Sequence, residues 1–378
     1  MHHILIAPNA FKGSLDASRV AQAILEGLQQ SGLAFTADCF PVGDGGNGTG
    51  ALIVKHFGGR RIMVSVHDPL GRPVESSFGL IENGRTAVIE MADAAGLQFL
   101  WPAELNPLRA TSFGCGEMIR QALDLGVNRI LVGMGGSATV DGGTGILRAL
   151  GCRFLNATGE LLDDGPEQLK ALDHVDLSGM DKRLRGIELV VLCDVKNVLL
   201  GSQGAAAVFG PQKGADEEGV RQLDAALRQF QQVTLKQKGL DISTLPSGGT
   251  AGGAAAGLHA WCQGRLVNGI DYFLDLTGFD QALAKSSLVI TGEGSIDEQT
   301  LEGKAPFGVA SRAKRKGLPV IGLAGKIPAV PVPALDNFFD VLTAIGAGPE
   351  SLPDAIRNTE VSLRRTARSI GSMLSVPQ

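Results

Sequence analysis

The sequence predicts an α/β chain in two parts, a doubly wound parallel sheet with a second α/β domain inserted into it. Three observations carry that expectation. Short, wholly apolar runs alternate with amphipathic segments at both ends of the chain, as βα units do. Between them a period-two alternation takes over, the mark of antiparallel strands. Glycine-rich turns also recur where an apolar run gives way to a helix, and 52 glycines in 378 residues is about twice the usual ~7% share. A chain of this length is long for one core, so two domains are the default.

The elements follow in order. Ile4-Leu5-Ile6-Ala7 reads as a strand buried on both faces. The loop Pro8 to Ser14 leads to a helix with Ser14 as N-cap, an apolar face of Ala17, Val20, Ala21, Ile24, Leu25 and Leu28, and Gly32 as its stop. A second unit runs from the strand Phe35–Phe40 through Gly43-Asp44-Gly45-Gly46-Asn47-Gly48 into a helix ended by Gly58-Gly59. Ile62, Val64 and Val66 then alternate, as do Val74, Ser76, Phe78 and Leu80, and Asn83-Gly84 precedes Thr86 to Met91. Such a meander is foreign to a parallel sheet, so the first domain boundary is placed near residue 62.

The βα rhythm resumes near residue 284 with Ser287–Ile290, Pro319–Gly325 and Val341–Ile345. Helices are expected over Ala305–Lys316 and from Leu352 onward. Two strands at the start and three at the end make a five-stranded flavodoxin-like sheet formed by 1–62 and 285–378. Residues 63–284 are then the insertion.

Composition excludes several classes. Net charge is −5 with 19% charged residues, and no basic stripe with interleaved aromatics marks a nucleic-acid partner. The five cysteines are scattered and odd in number, which fits neither a disulfide framework nor a zinc site, and Cys39 and Cys193 read as small buried strand residues. The start has no basic leader and no apolar run approaches the ~20 residues that cross a bilayer, so no membrane role is expected.

The chemistry is expected in loops at strand ends, where open α/β sheets bind ligands. Asp-Gly-Gly occurs twice there, at Asp44-Gly45-Gly46 and, after Gly135-Gly136-Ser137, at Asp141-Gly142-Gly143. Glycine turns let backbone N–H groups approach a phosphate. A carboxylate in the same loop repels bare phosphate and makes sense with Mg²⁺ or a hydroxyl proton between them. Asp194 ends the apolar run Ile187–Cys193, where it can act as general base or metal ligand. Lys12 can neutralise a phosphoryl group in transfer. Glu293 and Asp297, with Lys304 downstream, form another acid-rich loop, while 248–257 either wraps a nucleotide or permits close helix packing. Gly43-x-Gly45-x-x-Gly48 satisfies the dinucleotide fingerprint, yet Asp44 within it faces the pyrophosphate, and no Walker A loop occurs.

These motifs together resemble the bacterial two-domain glycerate kinases. The likeness runs through Ile6–Ser14, Asp44–Thr49, Gly135–Thr139 with Asp141–Gly143, Cys193-Asp194-Val195, Phe209–Gly214 and Ile290–Pro306, in order along nearly the whole chain. The resemblance implies an ATP- and Mg²⁺-dependent cytoplasmic kinase of D-glycerate, acting at the 2-hydroxyl to give 2-phosphoglycerate. It also implies that the inserted domain has restriction-endonuclease-like topology. Carried onto this chain, it makes Lys12, Asp44 and Asp194 catalytic, with Asp44 and Asp194 as metal ligands. Gly45, Gly46, Gly135, Gly136, Ser137, Asp141, Gly142 and Gly143 would hold the nucleotide, and Asn9, Ser14, Glu293, Asp297 and Lys304 the substrate. Either Asp44 or Asp194 would deprotonate the hydroxyl, with the substrates expected in a cleft between the domains. Transfer to the 3-hydroxyl, a dinucleotide-dependent oxidoreductase of a small hydroxy acid, and a non-catalytic carboxylate-binding protein are the alternatives. A homo-oligomer stays open.

Overall fold

Ile4, Leu5 and Ile6 are completely buried, as an unbroken apolar run requires of a strand covered on both faces. In the computed structural model, which describes residues 2–376, that run lies inside a parallel sheet. In chain order the first strands are β1 (His2–Ile6), β2 (Phe35–Cys39), β3 (Arg60–His67), β4 (Pro73–Ile81), β5 (Thr86–Glu90) and β6 (Arg129–Gly133). They continue as β7 (Arg153–Leu155), β8 (His174–Asp176), β9 (Glu188–Cys193), β10 (Arg265–Asn268), β11 (Leu288–Ser295), β12 (Val320–Lys326) and β13 (Val341–Ala344). The chain divides into one unit of Met1–Asp44 with Ile270–Gln378 and another of Gly45–Gly269.

In the first unit the order is β13-β12-β11-β1-β2, and every pairing is parallel. Counted within that unit alone, the strands run 2-1-3-4-5. One face carries the helices Ala17–Gln29 and Leu352–Leu374, whose apolar sides meet β1 and β12 through Val20, Ile24, Leu28, Leu363 and Ile370. They approach so closely that a Cβ at Gly27 would lie 2.3 Å from the Arg364 carbonyl. The first helix is capped by Asp16, which accepts from the Arg19 amide, and not by Ser14 as the sequence suggested. Gly13, at φ 78°, turns the chain there, and the Ser14 hydroxyl instead donates to the Ile356 carbonyl at 2.8 Å.

The second unit holds a mixed sheet in the order β10-β9-β6-β5-β4-β3. The meander β3-β4-β5 is antiparallel, as its alternation predicts, while β5, β6, β9 and β10 are parallel. Its core gathers Ile130, Val132, Ile146, Leu227, Phe230 and Trp261, closed on one side by the helix Glu217–Lys238.

Both boundaries differ from the expected 62 and 284. The helix Thr49–His56 belongs with the meander because Gly50 and Gly79 let it settle on the sheet; a Cβ at Gly79 would lie 2.1 Å from Val54 Cγ2. At the other end, Gly269–Leu276 and Phe279–Leu283 join the first unit through Arg312, which reaches Asp275 at 2.6 Å and Asp280 at 3.3 Å. Cys39 is a further correction: β2 is an edge strand and Cys39 is an exposed residue, its thiol turned toward the Ala21 carbonyl, whereas Cys115, Cys152, Cys193 and Cys262 are buried. Among the described residues no helix is long and apolar enough to cross a membrane.

Candidate active site

In the first unit the chain leaves β1 toward β2 on one side, while it leaves β11 toward β12 on the other, so the order reverses between β1 and β11. Ligand crevices form at such reversals, outside the carboxyl ends of the strands. The loop after β1 stays on the ladder for two more steps, with Ala7 and Asn9 donating to the Ile290 and Gly292 carbonyls, both at 2.8 Å. It then turns tightly through Phe11 and Leu15, leaving Lys12 exposed at the tip. The segment after β2 runs beside it, Val42 donating to the Pro8 carbonyl, and brings Asp44 to Asn9. Asn9 Nδ2 donates to Asp44 Oδ2 at 3.1 Å, while Asn9 Oδ1 accepts from the Ala10 amide.

Glu293 completes this group from β11. Its carboxyl is 8% exposed, and burial pushes it up to about 7; Lys304 and Lys12 oppose the rise and Asp44 adds to it. Thr300 Oγ1 reaches Glu293 Oε1 at 3.2 Å. Asn9, Lys12, Asp44, Glu293 and Lys304 are therefore one electrostatic neighbourhood. Ser14 stands apart on Ile356. Asp297 caps the turn Glu298–Glu302, accepting from the Gln299 amide at 3.0 Å, and so supports Thr300 while the sequence had placed it on the substrate.

In the second unit the two glycine loops touch. The Gly135 amide donates to the Gly45 carbonyl at 3.1 Å, and a Cβ on Gly135 would fall 2.4 Å from Gly46 Cα. Gly45 has φ 90° and lies against β9, where a Cβ would sit 2.6 Å from the Leu192 carbonyl. Only glycine satisfies both the dihedral and the approach. Gly136, at φ 74°, is the exposed corner of the second loop, and among the described residues neither its amide nor that of Ser137 donates to a protein acceptor.

Asp141, Gly142 and Gly143 are placed differently from the expectation that they face a nucleotide. The Asp141 carboxylate is buried and takes four donors, the Ser112 amide and hydroxyl, the Gly143 amide and the Gly145 amide. Gly142 donates to the Gly252 carbonyl, and a Cβ at Gly257 would come within 2.0 Å of the Gly142 carbonyl. This second Asp-Gly-Gly is an internal clasp. The glycine run 248–257 is its counterpart, and close packing is the alternative it realises.

Two residues absent from the expected site stand behind these loops. Glu90, at the carboxyl end of β5, accepts from the Gly48 and Gly50 amides at 2.8 and 3.1 Å. Burial pushes its carboxyl up to about 7 against those two bonds. The strand-end rule that singled out Asp194 would have found it after Thr86–Ile89. Lys213 is 3% exposed, and its ammonium donates to Ser137 Oγ at 2.9 Å and to the Thr139 carbonyl at 2.7 Å. Burial lowers it to about 7, opposed by the charges of Asp141 and Asp194. Asp194 itself is half-buried at the end of β9.

For a divalent ion, no group of three or more His, Cys, Asp or Glu side chains gathers among the described residues. Mg²⁺ needs no such cage; it keeps several waters and accepts one or two carboxylates plus phosphate oxygens. Asp44, after β2 in the first unit, and Asp194, after β9 in the second, are each a single strand-end carboxylate.

The family model described as "Glycerate kinase family" matches residues 4–375. A glycerate 2-kinase of Escherichia coli is 40% identical over 99% of this chain and 98% of its own. A glycerate kinase of Bacillus subtilis is 42% identical, again over 99% and 98%. Among solved structures, a crystal structure of a protein described as glycerate kinase 2 from Salmonella typhimurium LT2 has TM-score 0.83 and 43% identity, covering 99% of this chain and 98% of that one.

Proposed function

Since the chain belongs to the glycerate kinase family, we propose how its own groups divide the work of phosphorylating glycerate. The activity is a kinase reaction with ATP as phosphate donor and glycerate as acceptor, and we assign the attack to the 2-hydroxyl of the D-acid. The division is carried by the chemistry found at the strand ends within each unit. The first unit gathers cations and acids suited to a small hydroxy acid; the second presents amide-lined glycine turns suited to phosphate.

In this reading, Lys12, Lys304 and Asn9 hold the acceptor's carboxylate and hydroxyls. Glu293, half-protonated near neutral pH, is able to accept from or donate to a hydroxyl. Asp44 or Asp194 takes the hydroxyl proton. The Gly136 and Ser137 amides cradle the donor's phosphates; the Gly45 amide, given to Thr49 Oγ1, and the Gly135 amide, given to the Gly45 carbonyl, hold the two loops together, and Asp141, Gly142 and Gly143 keep the second loop in shape. Mg²⁺, with Asp44 or Asp194 as a carboxylate contributor, would neutralise phosphate charge. Phosphoryl transfer asks chiefly for position and charge compensation, which rigid strand ends supply.

We read the first unit as flavodoxin-like, supported by its 2-1-3-4-5 parallel order, and the second as restriction-endonuclease-like, supported by a meander that continues into parallel strands. A reducing, cytoplasmic setting suits five cysteines that are all free. The test is ADP release with ATP and D-glycerate, with and without EDTA. Activity should vanish with chelation and return with Mg²⁺; turnover indifferent to EDTA would remove the metal from the proposal.

A further inference from the structure

Lys213 sits in the turn Pro211–Lys213, followed by Gly214 at φ 101°, which lies so close to Leu105 that a Cβ would meet its carbonyl at 2.5 Å. The turn thus drives the lysine side chain inward, where both its hydrogen-bond partners are neutral. A buried ammonium with neutral partners costs stability that a methionine or leucine of similar length would not. Packing alone therefore does not explain a lysine here.

Its partners do. Ser137 Oγ accepts from Lys213, so the hydroxyl proton of Ser137 must point away from the ammonium. The Thr139 carbonyl takes a second N–H, fixing the chain on the far side of the turn. At the head of the turn stand Gly136 and Ser137, whose amides have no protein acceptor among the described residues, while the Ala138 amide is given to the Ala95 carbonyl. The geometry points to Lys213 as a positioning residue that locks the 135–139 turn with its two amides and the Ser137 hydroxyl as a set of donors for the phosphates of ATP. The inference rests on the reading of this turn as a phosphate loop. Burial lowers its proton affinity to about 7, which is the cost of placing an ammonium there. Asp141 and Asp194 are the charges that act on it, and Asp141 is already occupied by four donors.

The test compares Lys213→Met, Ser137→Ala, their combination and Gly136→Ala with the parent enzyme, by thermal unfolding and by kcat and KM for ATP. Lys213→Met should unfold no earlier than the parent, yet lose roughly 10- to 100-fold in kcat/KM for ATP, as orienting groups behind a binding shell do. The double variant should lose less than the product of the two single losses, because the Lys213–Ser137 hydrogen bond is common to both. Parent-like kcat/KM in Lys213→Met, or losses that simply multiply, would overturn the inference. If Lys213→Met does not fold, Ser137→Ala decides alone, and parent-like kinetics there count against it. Gly136→Ala separates the two claims. If it leaves KM for ATP unchanged, the phosphate-loop reading fails; if it raises KM while Lys213→Met is parent-like, only the role of Lys213 fails.

Discussion

At the scale of single residues, two acids of one motif are placed in different surroundings. Asp44 and Asp141 occupy the same motif, yet Asp141 is saturated by four donors while Asp44 meets Asn9 and the charge of Glu293. Asp194→Asn should lower kcat by about 10²- to 10⁴-fold, the usual worth of a general base, with circular dichroism unchanged. A variant as fast as the parent would remove Asp194 from the reaction. Glu90 makes a second prediction. Its carboxyl titrates near 7 in the folded chain against 4.5 in the free side chain, so between those values the folded state binds more protons. Stability therefore falls as pH climbs through that window, and the cost persists above it. Glu90→Gln should flatten the decline of Tm between pH 5 and 8, as seen by calorimetry; an unchanged slope would show that Glu90 titrates normally.

At the scale of elements, strands and glycine turns were legible because their signals are local. The apolar run Ile4–Ile6 and the alternation from Ile62 to Leu80 each specify burial on two faces or one. What the glycines were for was not legible. Gly136 shapes an exposed turn, whereas Gly45, Gly142, Gly252 and Gly257 exist so that backbones can touch, a matter decided by residues a hundred positions away. The turn Phe209–Gly214 was noticed but the place of its lysine was not, and Glu90 was not noticed, since neither burial nor partners can be read from a lone charge. Gly257→Ala tests the packing role. Its helix φ is ordinary, but the new methyl would stand 2.0 Å from the Gly142 carbonyl, so urea unfolding should show a loss of about 1–3 kcal/mol or more. A neutral result would mean that the clasp yields easily.

At the scale of the whole molecule, two units with separate cores were foreseen and their seams were not. The helix Thr49–His56 looked like the end of a second βα unit, but Gly50, Gly79 and Glu90 commit it to the mixed sheet. Residues 45–269 are continuous and enclose their own core, so this fragment should fold cooperatively alone, with dispersed amide resonances in NMR. The family supplies the reaction, and the strand-end groups supply a physical reason for it. The most direct test is NMR of the product after complete conversion of D-glycerate with ATP. Attack by the 2-hydroxyl requires a phosphorus-coupled C2 proton and stoichiometric ADP; coupling at C3 instead, or no phosphoester, would contradict it.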